Sequence, residues 1–153
     1  MLEAWRTNNR INLYLLDHIS RAGMAATLSK RGGRGVAGQF GHMHNIRLAH
    51  LVRRAPDLAI GLEKFSPKGQ PTKAQLKKAL QESGRAIEQL LADLLSHLES
   101  PKRKGFKKGP ATMLAYLVSH ESHHRGIILT TLKECGHSPD KAARYKIWDW
   151  DRI

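Results

Sequence analysis

The chain has 153 residues, which suits one domain able to bury roughly 68–70% of its unfolded surface, and 41% of them are hydrophobic. Its single cysteine, Cys135, excludes an internal disulfide and any zinc module built on two or more cysteines. Lys and Arg outnumber Asp and Glu by 26 to 13, a net charge of +13 that fits either a polyanion partner or a solvated surface with basic loops.

The segment from Leu2 to Ile19 has helical spacing, with Trp5, Leu13, Leu16 and Ile19, or the neighbouring Asn12 and Leu15, on one side. Glu3, Arg6 and Arg10 interrupt it and no small-residue cleavage site follows, so it does not read as a secretory signal. Arg21-Ala22-Gly23 weakens the helix, and Ser29 to Gly35 reads as a loop with three glycines and three basic residues. A second helix is predicted from Val36 to about Arg54, ended by Pro56. Phe40, Met43, Arg47, His50 and Arg54 share one of its stripes, and Gln39, His42, Ile46 and Ala49 share the next. A mixed link with Pro67, Gly69 and Pro71 leads to Thr72, the expected N-cap of a third helix. That helix has a clean apolar seam of Leu76, Leu80, Ile87, Leu91, Leu94 and Leu98, flanked by Leu90 and Leu95, with Gly84 its weak point. Ser100 to Gly109 forms a basic loop, and Pro110 opens a fourth helix. Met113, Leu117, His120, His124, Ile127, Ile128 and Thr131 share one of its faces, and Gly136 is its expected C-cap. A short helical turn follows, and Ile147, Trp148 and Trp150 are expected to pack back on the core. No segment alternates like a strand. The expectation is an all-α, antiparallel four-helix bundle with a short C-terminal extension, one domain over residues 1–153. No stretch reaches the roughly 18 apolar residues of a membrane span. With a lone thiol that suits a reducing compartment, the expected location is cytoplasmic, without membrane contact.

Nine histidines are present, and three of them, His120, His123 and His124, fall together on the fourth helix. Residues at i and i+4 stand one above the other on a helix, so His120 and His124 can grip one ion, while His123 faces the edge. Two imidazoles within an apolar stripe need partners for their nitrogens, either a metal or acceptors on other helices. A third ligand would come from the second helix, which offers His42, His44 and His50. His44 lies on a different side from the other two, and spacing alone does not separate His42 from His50. Three imidazoles suit Zn, Ni, Fe or Cu rather than Mg or Ca, and leave at least one position open. Such ligands must be neutral, so metal affinity is expected to fall below about pH 6.5.

His120-Glu121-Ser122-His123-His124 also matches the H-E-x-x-H pattern of zinc metalloproteases. The longer metzincin form would need a Gly and a His where Ile127 and Thr130 stand, no glutamate follows Glu134, and there is no strand to align a peptide. Glu121 is therefore read as a surface or interhelical ion-pair residue, and Cys135 as a packing residue.

Together, VAGQFGHMHNIRLAHL (Val36–Leu51), LVSHESHHRG (Leu117–Gly126), the GHSP turn and the terminal WDW make the chain resemble the DinB/YfiT-like superfamily of bacterial four-helix-bundle metal proteins. The resemblance implies a metal triad of His42, His120 and His124, which places the third ligand on His42 rather than His50. Relatives commonly carry Gln where Ile127 stands, a position of packing or ligand support. Some relatives look like metal-dependent transferases of low-molecular-weight thiols, and another is a thiol-dependent maleylpyruvate isomerase. The expectation is thus a metal-dependent enzyme, a thiol S-transferase or hydrolase, with zinc or nickel, a small-molecule substrate or thiol, and homodimerisation as bundles of this kind often show. Two alternatives are a non-catalytic, metal-stabilised bundle and a basic nucleic-acid-binding module. The latter would use Lys30, Arg31 and Arg34 with Lys102, Arg103, Lys104, Lys107, Lys108 and the ring of Phe106. It is the less favoured, because these residues lie in loops without a recognition helix.

Overall fold

The computed structural model describes residues 1–30, 33–96 and 103–153. Leu98 of the third-helix seam, and Arg31 and Lys102 of the basic loops, lie outside the described residues. Among the described residues six α-helices are formed: α1 (Leu2–Asp17), α2 (Arg21–Met24), α3 (Val36–Arg54), α4 (Lys73–Ser96), α5 (Pro110–Glu134) and α6 (Lys141–Lys146), with a 3-10 turn at Pro56–Ala59. No strand occurs among the described residues.

The four long helices form the bundle. At one end Leu15, Leu16 and Ile19 of α1 meet Val36, Phe40 and Met43 of α3, Leu76 and Leu80 of α4, and Ile128 and Leu132 of α5. At the other, Trp5 meets Leu51, Ile87, Leu91, Met113 and Leu117. These two sets fix the directions: α1 and α5 run one way, α3 and α4 the other. Because α3 and α4 are parallel, the chain between them must return along the bundle, which is the work of residues 55–72. Asn45 pins that return segment, its amide donating to the Phe65 carbonyl and its oxygen accepting from the Phe65 N–H.

Helix ends follow local chemistry. Thr72 and Gln75 make a reciprocal capping box at the start of α4, Gln75 N–H to Thr72 Oγ1 and Thr72 N–H to Gln75 Oε1. Gly136, with φ 73°, ends α5 in a Schellman arrangement: His137 N–H donates to Leu132 O and Gly136 N–H to Lys133 O. Gly84 is not a weak point but a contact point. A Cβ there would lie 2.4 Å from Asn9 Nδ2, and the bare backbone lets Trp5 Nε1 donate to the Gly84 carbonyl at 2.8 Å. The C-terminal expectation holds only for Ile147. Trp148 and Trp150 are 75% and 43% exposed, because the chain leaves α6 in turns along the surface.

Between the two apolar clusters lies a buried polar layer. Glu121 on α5 accepts from Asn8 Nδ2 and Asn12 Nδ2 of α1 (2.6 Å each) and from Arg47 Nε (2.6 Å) and Nη2 (2.9 Å) of α3. Arg47 also donates to Leu80 O and Asn9 Oδ1 and lies over the Trp5 ring. Arg125 donates to Asn8 Oδ1, Asn12 Oδ1 and Ser122 Oγ. Glu121 and Arg47 are 1% and 0% exposed, so the ion pair expected of Glu121 is an interior one. Removing a carboxylate and a guanidinium from water costs several kcal/mol per ion, and that cost is offset only when nearly every polar atom has a partner, as here.

Candidate metal centre

One turn from Arg47 on α3, and on the neighbouring face of α5, three histidines converge. His42, His120 and His124 offer ligand atoms that all lie within 4.8 Å of one another. The ring centroids are 5.3 Å apart for His42 and His120, 4.7 Å for His42 and His124, and 4.5 Å for His120 and His124. The i,i+4 stacking on α5 brings Nε2 of His120 to 3.1 Å from Nε2 of His124. That separation is close to the spacing of two nitrogens held at about 2.0–2.1 Å from one tetrahedral ion.

Protonation states make this an arrangement with something left over. His124 Nδ1 stands 2.7 Å from Gln39 Oε1, and the Gln39 amide nitrogen faces the Arg34 carbonyl, which orients its oxygen towards the imidazole. His124 therefore donates from Nδ1 and keeps a lone pair on Nε2. If His120 donates to that lone pair from its own Nε2, its buried Nδ1 is stranded, since no group among the described residues hydrogen-bonds that atom. If His120 carries its proton on Nδ1, two lone pairs face each other across 3.1 Å. Neither tautomer satisfies the pair, whereas a cation accepts both lone pairs.

The electrostatics keep the imidazoles neutral. Burial, then the adjacent histidines, hold His124 down to about 4. Burial is also the main cause of the lowered values of His42 and His120, and the Arg34 charge acts in the same direction on all three rings. Neutral imidazole is the form that binds a metal. The group could hold a divalent metal ion.

The other sequence candidates go elsewhere. His50 stays outside the group, its ring between those of Phe106 and Tyr116, while Tyr116 stacks on His120. His44 is a core residue, with Nδ1 against Ala79 O and Ser83 Oγ and Nε2 against Glu63 O. His123 is exposed at the edge of His124. Cys135 caps α5 and packs against the core. Of the residues weighed for nucleic acid, Arg103 is held by Asp57 and Asp93, and Phe106 lies under Arg54 and against His50 and Tyr116.

Sequence reasoning passed over the Glu121–Arg47–Asn8–Asn12–Arg125 network. A signal was present: Glu121 and Arg125 repeat the i,i+4 spacing of His120 and His124 one residue further on, and Asn8 and Asn12 have the same spacing on α1.

Among the described residues, no helix is long and apolar enough to cross a membrane. A family model described as the DinB family matches residues 1–150 of the chain. No curated protein and no solved structure matches it.

Proposed function

The chain belongs to the DinB family, and from that premise we propose that His42, His120 and His124 bind one divalent transition metal, zinc or nickel, at the centre of a small-molecule enzyme. The reaction class is S-transfer from a low-molecular-weight thiol, or hydrolysis. The observation that carries this reading is the meeting of three neutral imidazoles from two helices, with Nε2 of His120 and Nε2 of His124 3.1 Å apart.

Three protein ligands leave an open position, and a bound ion there supplies the Lewis acidity that lowers the pKa of a thiol or a water. The protein's own share is positional. Gln39 fixes the tautomer of His124, as acceptors behind metal-bound histidines do. Arg47 and Glu121, one turn away, lock α3 to α5 and so fix His42 relative to the other two rings. Burial keeps all three ligands unprotonated near neutral pH.

Elemental analysis of purified protein tests the site: close to one equivalent of zinc or nickel is expected, falling to near zero in a His120→Ala/His124→Ala double variant. Metal content equal in the two proteins would end the reading. A screen of thiols with electrophiles, run beside a hydrolysis screen, then separates the reaction classes. Loss of thermal stability in the double variant, with no turnover in any screen of the metal-loaded chain, would instead make the ion a structural one.

A further inference from the structure

Arg34 precedes α3 at its N-terminus, and its side chain folds down over Gly38. A Cβ at Gly38 would stand 3.3 Å from the Arg34 Cβ, so the absence of a side chain there lets the Arg34 stem lie against the helix. One further turn along the same side stands His42. Arg34, Gly38, His42 and Asn45 line a single small cleft of about 40 Å³, with Phe65 of the return segment across from them. Arg34 and Gly38 also wall an adjoining cavity of about 350 Å³, in the size range of small-molecule sites, which Lys68 and Gln70 help to line. Among the described residues, neither space has an Asp or Glu in its walls. Among the described residues the Arg34 guanidinium has no carboxylate or hydrogen-bonding partner, and only its backbone carbonyl is engaged, by Gln39.

Resting on the metal-centre reading above, we infer that Arg34 anchors an oxyanion of the substrate or thiol, a carboxylate or a phosphate, in the cleft it shares with His42. The chemistry is specific. A guanidinium offers a planar fork of donors that matches the two oxygens of such a group, and an acid-free wall leaves it free to do so. The cavity beyond Arg34 has room for the rest of a small molecule, and His42 is the one of the three histidines that borders the shared cleft.

Inorganic phosphate and succinate are the probes. Each is titrated calorimetrically into the zinc-loaded chain and into Arg34→Gln, Arg34→Lys and Lys107→Gln, with zinc content and melting temperature measured on every sample. Lys107→Gln removes the same charge from the separate basic pocket around Phe106. Arg34→Gln is expected to weaken at least one anion about tenfold or more with zinc content unchanged, Arg34→Lys to recover part of that loss, and Lys107→Gln to match the parent. Whichever anion shows the larger Arg34-dependent loss identifies the oxyanion. Equal affinity in the parent and Arg34→Gln, a loss in Lys107→Gln as large as in Arg34→Gln, or no anion binding by a zinc-loaded parent overturns the inference while leaving the metal centre standing. A parent that takes up neither zinc nor nickel removes the metal-centre reading and this inference with it.

Discussion

Two groups of polar side chains sit a turn apart between α3 and α5, and they have opposite characters. Around Glu121 both carboxylate oxygens have donors, Oε1 from α3 and Oε2 from α1 and α3, and Arg47 and Arg125 direct their N–H groups at oxygens that are well placed. Around His120 and His124 the nitrogens meet one another, and one finds no partner. The first group is a closed account of donors and acceptors and needs nothing from outside. The second presents lone pairs that a cation would accept. The first group is fully buried, whereas His42 and His120 are only partly so; the two also differ in satisfaction, atom by atom.

The largest effect is expected in the closed group. Glu121→Ala leaves Arg47 charged, buried and without its counterion, and should cost about 3–5 kcal/mol of folding stability, read as a lower urea midpoint. A variant as stable as the parent would mean that the carboxylate is dispensable and the contrast mistaken. The open group should answer differently. Gln39→Leu removes the acceptor behind His124 and should lower metal affinity roughly 10–100-fold, measured by chelator competition, with an unchanged helical spectrum. Unaltered affinity would remove Gln39 from the site.

The smallest effect is in pH. The three histidines have folded pKa values below the ordinary 6.5, with His124 at about 4. As pH falls below 6.5 the unfolded chain takes up protons before the folded one does, so stability of the metal-free protein declines through that window and is fully present only above it. For the metal the consequence runs the other way. The ligands are still neutral somewhat below pH 6.5, so the decline in affinity should begin lower than the value for free imidazoles that the sequence suggested. A titration of metal retention from pH 8 to 4 measures the midpoint, and one at or above 6.5 would contradict the lowered values.

Much of this was legible in the sequence, for identifiable reasons. The span Val36–Arg54 ends at Pro56, the fourth helix opens on Pro110 and closes on Gly136, and Thr72 caps α4; each is a local backbone effect that needs no tertiary information. The convergence of His120 and His124 follows from helix periodicity alone. The choice of His42 over His50 did not follow from spacing, because both lie on faces of α3 that turn towards α5. The polar layer stayed hidden because its members are scattered over α1, α3 and α5, and each looks like an ordinary surface residue until the helices are placed side by side. Arg47 shares a stripe with Phe40 and Met43 and is as buried as they are, which only a partner on another helix can explain. The two terminal tryptophans failed in the opposite sense, since their apolar character says nothing about whether a surface remains to receive them.

The return of the chain along residues 55–72 has a consequence for what an ion would do. With α3 and α5 supplying the ligands, everything between residues 42 and 120 becomes a loop of about 80 residues tied at its base, and the whole of α4 lies inside it. An ion held there stabilises the fold through its affinity for the native site, which exists only when that loop is closed. α4 contributes no histidine to the centre, yet it is the helix that such a staple would most confine.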